Sequence, residues 1–155
     1  MNENGIGEEE YRAFIGKKAD YYTKKWSAMD VRQSKWSWNW GAFIFRELWF
    51  AYRKMYIFAL ILFIFLGLIV VVSSIYLQIE DEDMANFVKG VKILYWAIVA
   101  VYANYLYHKH ADKKIIDFKS TSTGELATSE LAKRGGTSLI APVIFIVFEG
   151  ILFFI

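Results

Sequence analysis

Cysteine is absent from the 155 residues, so neither a disulfide framework nor a thiolate metal site can form. There is one proline, which leaves long stretches free to run as helix. Only two histidines are present, His108 and His110. Two residues apart on a helix they point to nearly opposite sides, so they do not chelate one ion. A formal net charge of +2 is too small to mark a nucleic-acid binder. Neither a nucleophile elbow nor a phosphate loop occurs; Gly135-Gly136-Thr137-Ser138 lacks the lysine spacing that phosphate binding requires. The opening residues, MNENGIGEEEYRAF, are polar and acidic, so no cleavable signal peptide is expected. No catalytic, metal or cofactor-binding constellation emerges.

What is present is apolar and aromatic. Hydrophobic residues make up 56% and aromatics 19%, both high for a soluble protein of this length, which suggests one domain. The mean hydropathy of +0.28 agrees. The chain centres on Trp36 to Tyr56, in which nine of 21 residues are aromatic and Arg46, Arg53 and Lys54 are interleaved. Indole and phenol rings settle where hydrocarbon meets water, so this stretch reads as a collar seating the chain in a membrane. Trp38, Trp40, Trp49, Arg53 and Lys54 are its candidate lipid-contacting residues. Asn39 fits an N-cap for one helix from Trp40 to about Lys54.

Residues 1–7 read as disordered, followed by a short helix from Glu8 to Ile15 that Gly16 stops. A second helix is expected from about Lys18 to Met29, with Ala19, Tyr22, Trp26 and Met29 on one face. That face either lies on an anionic membrane surface or packs as a small core against the collar.

Three apolar runs follow. Ile57 to Leu77 carries no charge over 21 residues and, as a helix, matches the ~30 Å hydrocarbon layer. Ala59, Gly67 and Ser74 give it a small-residue face. An acidic link, Glu80 to Asp83, leads to a second run, Val91 to Tyr107, entered from near Phe87. Gly90, Ala97, Ala100 and Asn104 form a stripe there, and Asn104 is expected to hydrogen-bond across to the first span. His108 to Lys119 reads as a basic polar segment. A short helix from about Gly124 to Arg134 is expected, with Ser122 and Glu125 as a capping box and Gly135 as its stop. Ser138 to Ile155 is the third run, with Glu149 inside it. An intramembrane acid suggests proton or cation handling. Glu149 also lies close enough to the chain end to sit simply at the far interface.

The expected fold is therefore all-α: an integral membrane protein with about three transmembrane helices, near 57–77, 87–107 and 138–155. An aromatic interfacial helix and a cytoplasmic N-terminal amphipathic segment, 1–35, precede them. Ten basic residues precede the first span and six follow the second, while the link between holds two with four acids. The positive-inside rule then puts the N-terminus in the cytoplasm.

The blocks YRAFIGKKADYYTKKW, WNWGAFIFRELWFAYRKMY, ANYLYHKHADKKI and GGTS resemble the domain of unknown function 2628 family of uncharacterised bacterial membrane proteins. The resemblance covers most of the chain and implies placement in a bacterial cytoplasmic membrane. It implies no activity, substrate or catalytic residue. Family members often carry Gly-Pro before the Leu-Trp; Arg46-Glu47 stands here, so no sharp break in the collar helix is implied. The reading that follows is a non-enzymatic binding or accessory module, with membrane lipid and a protein partner or homo-oligomer as its contacts. The alternative is a small oligomeric transport or channel subunit with Asn104 and Glu149 facing inward. An enzyme acting on lipid would rest only on Glu149 and the two histidines.

Overall fold

The computed structural model describes residues 5–76, 82–121 and 127–154, and all regular structure in them is helical. α1 (Glu8–Ile15) starts where Glu10 Oε2 accepts from the Gly7 amide at 2.6 Å, with acids filling the first turn. Gly16 ends it with φ +74°. Of residues 1–7, expected from sequence to be disordered, 1–4 lie outside the described residues and 5–7 are held in place. Ile6 is in the core, and the Gly5 carbonyl accepts from Lys119 Nζ at 2.9 Å.

α2 (Ala19–Val31) buries Ala19, Tyr22, Trp26 and Met29, the face read from spacing. That face packs inside the protein: the Trp26 ring lies 5.3 Å from Tyr107. Of the two alternatives, the small core is the one formed.

The collar is not one helix. α3 (Trp40–Phe45) and α4 (Glu47–Tyr52) meet at Arg46, whose φ of 52° and ψ of −132° belong to glycine's backbone space. The break thus forms at an arginine, where one continuous collar helix was expected. α4 must turn inward at that point to bury Trp49, Phe50 and Ala51.

α5 (Tyr56–Tyr76) leaves the collar as 21 residues of unbroken apolar helix, ~31 Å long. Only 11% of its apolar window is buried within the protein. Ala59 of its small-residue face is buried while Gly67 is exposed; the Ser74 side chain lies outside the described residues.

α6 (Glu82–Thr121) returns as a single helix of 40 residues, ~60 Å. The sequence suggests a span that ends at Tyr107 and a basic polar segment after it; the helix instead continues through both. No proline or glycine interrupts it there, and Tyr107, Ala111, Ile115 and Phe118 continue one buried face at helical spacing. The expected capping box at Ser122 and Glu125 falls outside the described residues. α7 (Ala127–Arg134) ends where Gly135 donates to the Leu131 carbonyl at 2.9 Å, and Gly136 takes φ +70°. α8 (Ile140–Phe154) spans 15 residues, ~22 Å, and runs beside α5, with Phe145 and Phe148 rings 5.7 and 5.8 Å from Phe63.

These elements make a head and a stalk. The head packs α1, α2, α4, α7 and the second half of α6 around Phe14, Trp26, Phe50 and Tyr107. The stalk is α5, the first half of α6 and α8, whose apolar side chains face outward. Among the described residues two helices, α5 and α6, are long and apolar enough to cross a membrane.

Candidate functional site

Because α6 continues past the stalk, it carries His108 and Asp112, one turn apart, into the head. Both are buried there. Tyr11 reaches them from α1. Its hydroxyl donates a short hydrogen bond to Asp112 Oδ1, and His108 Nε2 stands 3.2 Å from the same hydroxyl oxygen. A phenol has one proton, and here Asp112 receives it. In the neutral ring the Nε2 must therefore carry the hydrogen and donate to Tyr11, which leaves Nδ1 as an acceptor.

Trp26 fixes the ring plane. It stacks on His108 at 4.5 Å between centroids and 8° between planes, while its own Nε1 donates to the Asn104 carbonyl at 3.1 Å. Asp112 has a further cation, Lys109 Nζ, 3.5 Å from Oδ2. Burial pushes the His108 pKa below its usual value, against the opposing pull of Asp112 and Asp30, so the ring is neutral at pH 7. Burial, reinforced by Asp112, pushes the Tyr11 pKa up. Tyr11 thus stays a protonated donor and is no nucleophile.

A cleft of about 570 Å³ opens between α1 and α2 above this cluster, lined in part by Tyr11, Arg12, Asp20, Trp26, Asp30 and His108. Arg12 bridges Glu8 at 2.9 Å and Asp20 at 2.6 Å along one wall. Asp30 Oδ1 lies 4.0 Å from His108 Nδ1. The cluster draws on residues 97 to 101 positions apart in sequence. The one local signal in the sequence is the four-residue spacing of His108 and Asp112, which places them on one helix face.

The residues singled out from sequence are divided by the fold. Trp40 is 65% exposed on α3, and Trp38 is half-buried against Trp40 and Phe43, each 5.2 Å away. Trp49 instead turns inward, edge-on to Phe50 at 4.9 Å. Arg53 is 5% exposed, its guanidinium enclosed by the rings of Tyr22, Tyr107 and Tyr52 at 4.6, 5.1 and 5.7 Å. It serves the head core through cation–π contacts. Lys54 Nζ donates to the Lys133 carbonyl at 2.8 Å. Asn104 is fully buried and does hydrogen-bond, but to the collar connector rather than to α5: its Nδ2 donates to the Ser37 carbonyl at 3.0 Å. The Glu149 side chain lies outside the described residues. His110 sits apart from His108, its ring 6.2 Å from Phe14.

Residues 8–113, which span α1 to the Asp112 turn of α6, match the family described as Protein of unknown function (DUF2628). No curated protein and no solved structure matches the chain.

Proposed function

We propose that this chain, which belongs to that DUF2628 family of unknown function, is a membrane-seated binding module. In this reading the stalk holds it in the bilayer and the head offers the cleft at the cytoplasmic face. One observation carries it: the outward apolar sleeve stops where the collar begins. Ile57, Leu60, Ile64 and Leu68 on α5, Ile93, Leu94 and Ile98 on α6, and Val143, Ile144 and Val147 on α8 are all exposed. Burying one such side chain is worth ~1.5–3 kcal/mol, so a sleeve of this extent calls for lipid or a partner around it. At its edge Trp36 and Trp40 are exposed, as rings in an interfacial belt would be.

α5 leaves the head, α6 returns to it, and α8 leaves again. The basic residues flank the head end, which supports a cytoplasmic head. α8, at ~22 Å, is shorter than the ~30 Å layer, so this reading has two full spans and a third apolar helix beside them. The absence of native cysteine makes the test clean. Asp81→Cys should label with an impermeant maleimide in intact bacterial cells, and Lys113→Cys only after lysis. Release of the protein from membranes by carbonate, or labelling of Lys113→Cys in intact cells, would refute the arrangement.

A further inference from the structure

We propose that the head cleft binds a small organic cation with N–H donors, a primary ammonium or guanidinium, held between Asp30 and His108 Nδ1. The inference rests on reading the cleft as a binding site and names its ligand class. Tyr11 and Asp112 fix which ring nitrogen carries the hydrogen, so Nδ1 presents a lone pair. Asp30 Oδ1 faces it at 4.0 Å with another acceptor. When the ring is neutral, neither has a hydrogen to give the other.

A donor nitrogen at the ordinary ~2.9 Å from both atoms fits that gap and subtends about 90°, near the angle between two N–H bonds of an ammonium. A divalent metal with ~2.1 Å bonds to both acceptors would be forced to an angle of about 140° at this 4.0 Å separation, far from tetrahedral. Charge points the same way. Three acids, Glu8, Asp20 and Asp30, and two bases, Arg12 and Lys24, line the cleft, and Arg12 is already engaged by Glu8 and Asp20. Ile6 and Val31 add apolar wall for an alkyl stem. The volume of about 570 Å³ suits a small molecule.

Protonating His108 would put a hydrogen on Nδ1 facing Asp30, so proton and ligand compete. The charged and titratable groups around the ring are Tyr11 from α1, Asp30 from α2, and Lys109 and Asp112 from α6.

The test is calorimetric titration of the full chain in lipid nanodiscs with agmatine, with butanol and butyrate as controls. Saturable 1:1 binding of agmatine is expected, weakened at least tenfold in Asp30→Asn and progressively as acid protonates His108. The imidazole Nδ1 resonance in ¹⁵N NMR should move on binding, a readout that a merely folded head would not give. Asp30 is 62% exposed, so Asp30→Asn should fold. If butyrate or butanol binds and agmatine does not, the ligand class is wrong and the cleft remains a binding site. If none binds, both readings of the cleft fall, whatever the labelling shows about the membrane. Agmatine affinity unchanged in Asp30→Asn also overturns the proposal.

Discussion

Asn39 Nδ2 donates to Asn104 Oδ1 at 2.8 Å, across 65 residues of sequence. Each amide is then used again. Asn39 Oδ1 accepts from the Ala42 amide at 3.0 Å and so caps α3, and Asn104 Nδ2 donates to the Ser37 carbonyl and hydroxyl at 3.0 and 3.1 Å. The connector backbone joins in, with the Ser37 and Asn39 amides donating to the Val101 and Ala100 carbonyls. This network fixes the collar to α6 at the level where stalk becomes head. Asn104→Ala should leave several buried groups unpaired and cost ~3 kcal/mol, at 1–3 for each orphan with partial relaxation. Denaturant unfolding followed by tryptophan fluorescence would measure it. A loss under 1 kcal/mol would show that the network does not hold the collar.

Arg46 stands where glycine's backbone conformation is required, with φ 52°. Its side chain gains a ring contact 5.7 Å from Trp96. The guanidinium also stands 4.0 Å from the buried Glu47 carboxylate. Conformational strain of ~1–3 kcal/mol outweighs an exposed cation–π contact of ~0.5–1 kcal/mol and a long, partly solvated ion pair of ~0–1 kcal/mol. Arg46→Gly should therefore raise stability by about 1 kcal/mol, and Arg46→Val should lower it. Opposite movements in Tm between the two variants are the signature; equal losses would mean that the guanidinium contact dominates.

Gly135 seats α7 on α1. A Cβ there would stand 2.1 Å from the Phe14 carbonyl oxygen, which also accepts from the Gly136 amide at 2.6 Å. Backbone cannot yield as a flexible side chain can. Gly135→Ala should cost at least ~2 kcal/mol. It should raise amide exchange in α7 and α1 and leave α5 unchanged. Uniform exchange across the chain would argue against local docking.

Acid should weaken the head. Burial first, then Lys114 and Lys113, push the His110 pKa down to about 4, and burial also lowers that of His108. An unfolded histidine titrates near 6.5. Between the folded and unfolded values the unfolded chain binds more protons, so stability rises with pH there. The contribution is complete above about pH 7 and is lost from 6.5 down to about 4. For partly solvated His110 it amounts to roughly 1–2 kcal/mol after screening. His110→Phe should flatten that part of the profile. A stability curve level from pH 7 to 4 would contradict it.

Some of this was written locally. The α1 and α5 boundaries, the buried face of α2 and the Asn39 cap each depend on spacing, a stop residue or a capping side chain within a few positions. The break at Arg46 was not legible, because arginine does not announce positive φ; only burial of Trp49 and Phe50 demands the turn. The unbroken run of α6 through Lys119 was missed for a related reason. Its lysines occupy the solvent side while Ala111, Ile115 and Phe118 hold the core side, and charge density masked that stripe.

Composition and run length determined by themselves that the chain is helical, carries apolar runs as long as a membrane is thick and has its aromatics concentrated beside the first of them, since these depend only on neighbouring side chains and helix rise. The tertiary structure decided which of those aromatics face out, that Arg53 lies under three tyrosines, and that Tyr11, His108 and Asp112 meet beneath a cleft. Those pairings join residues about a hundred positions apart, and a hydrogen-bond partner at that distance is chosen by how helices pack, which no local pattern encodes.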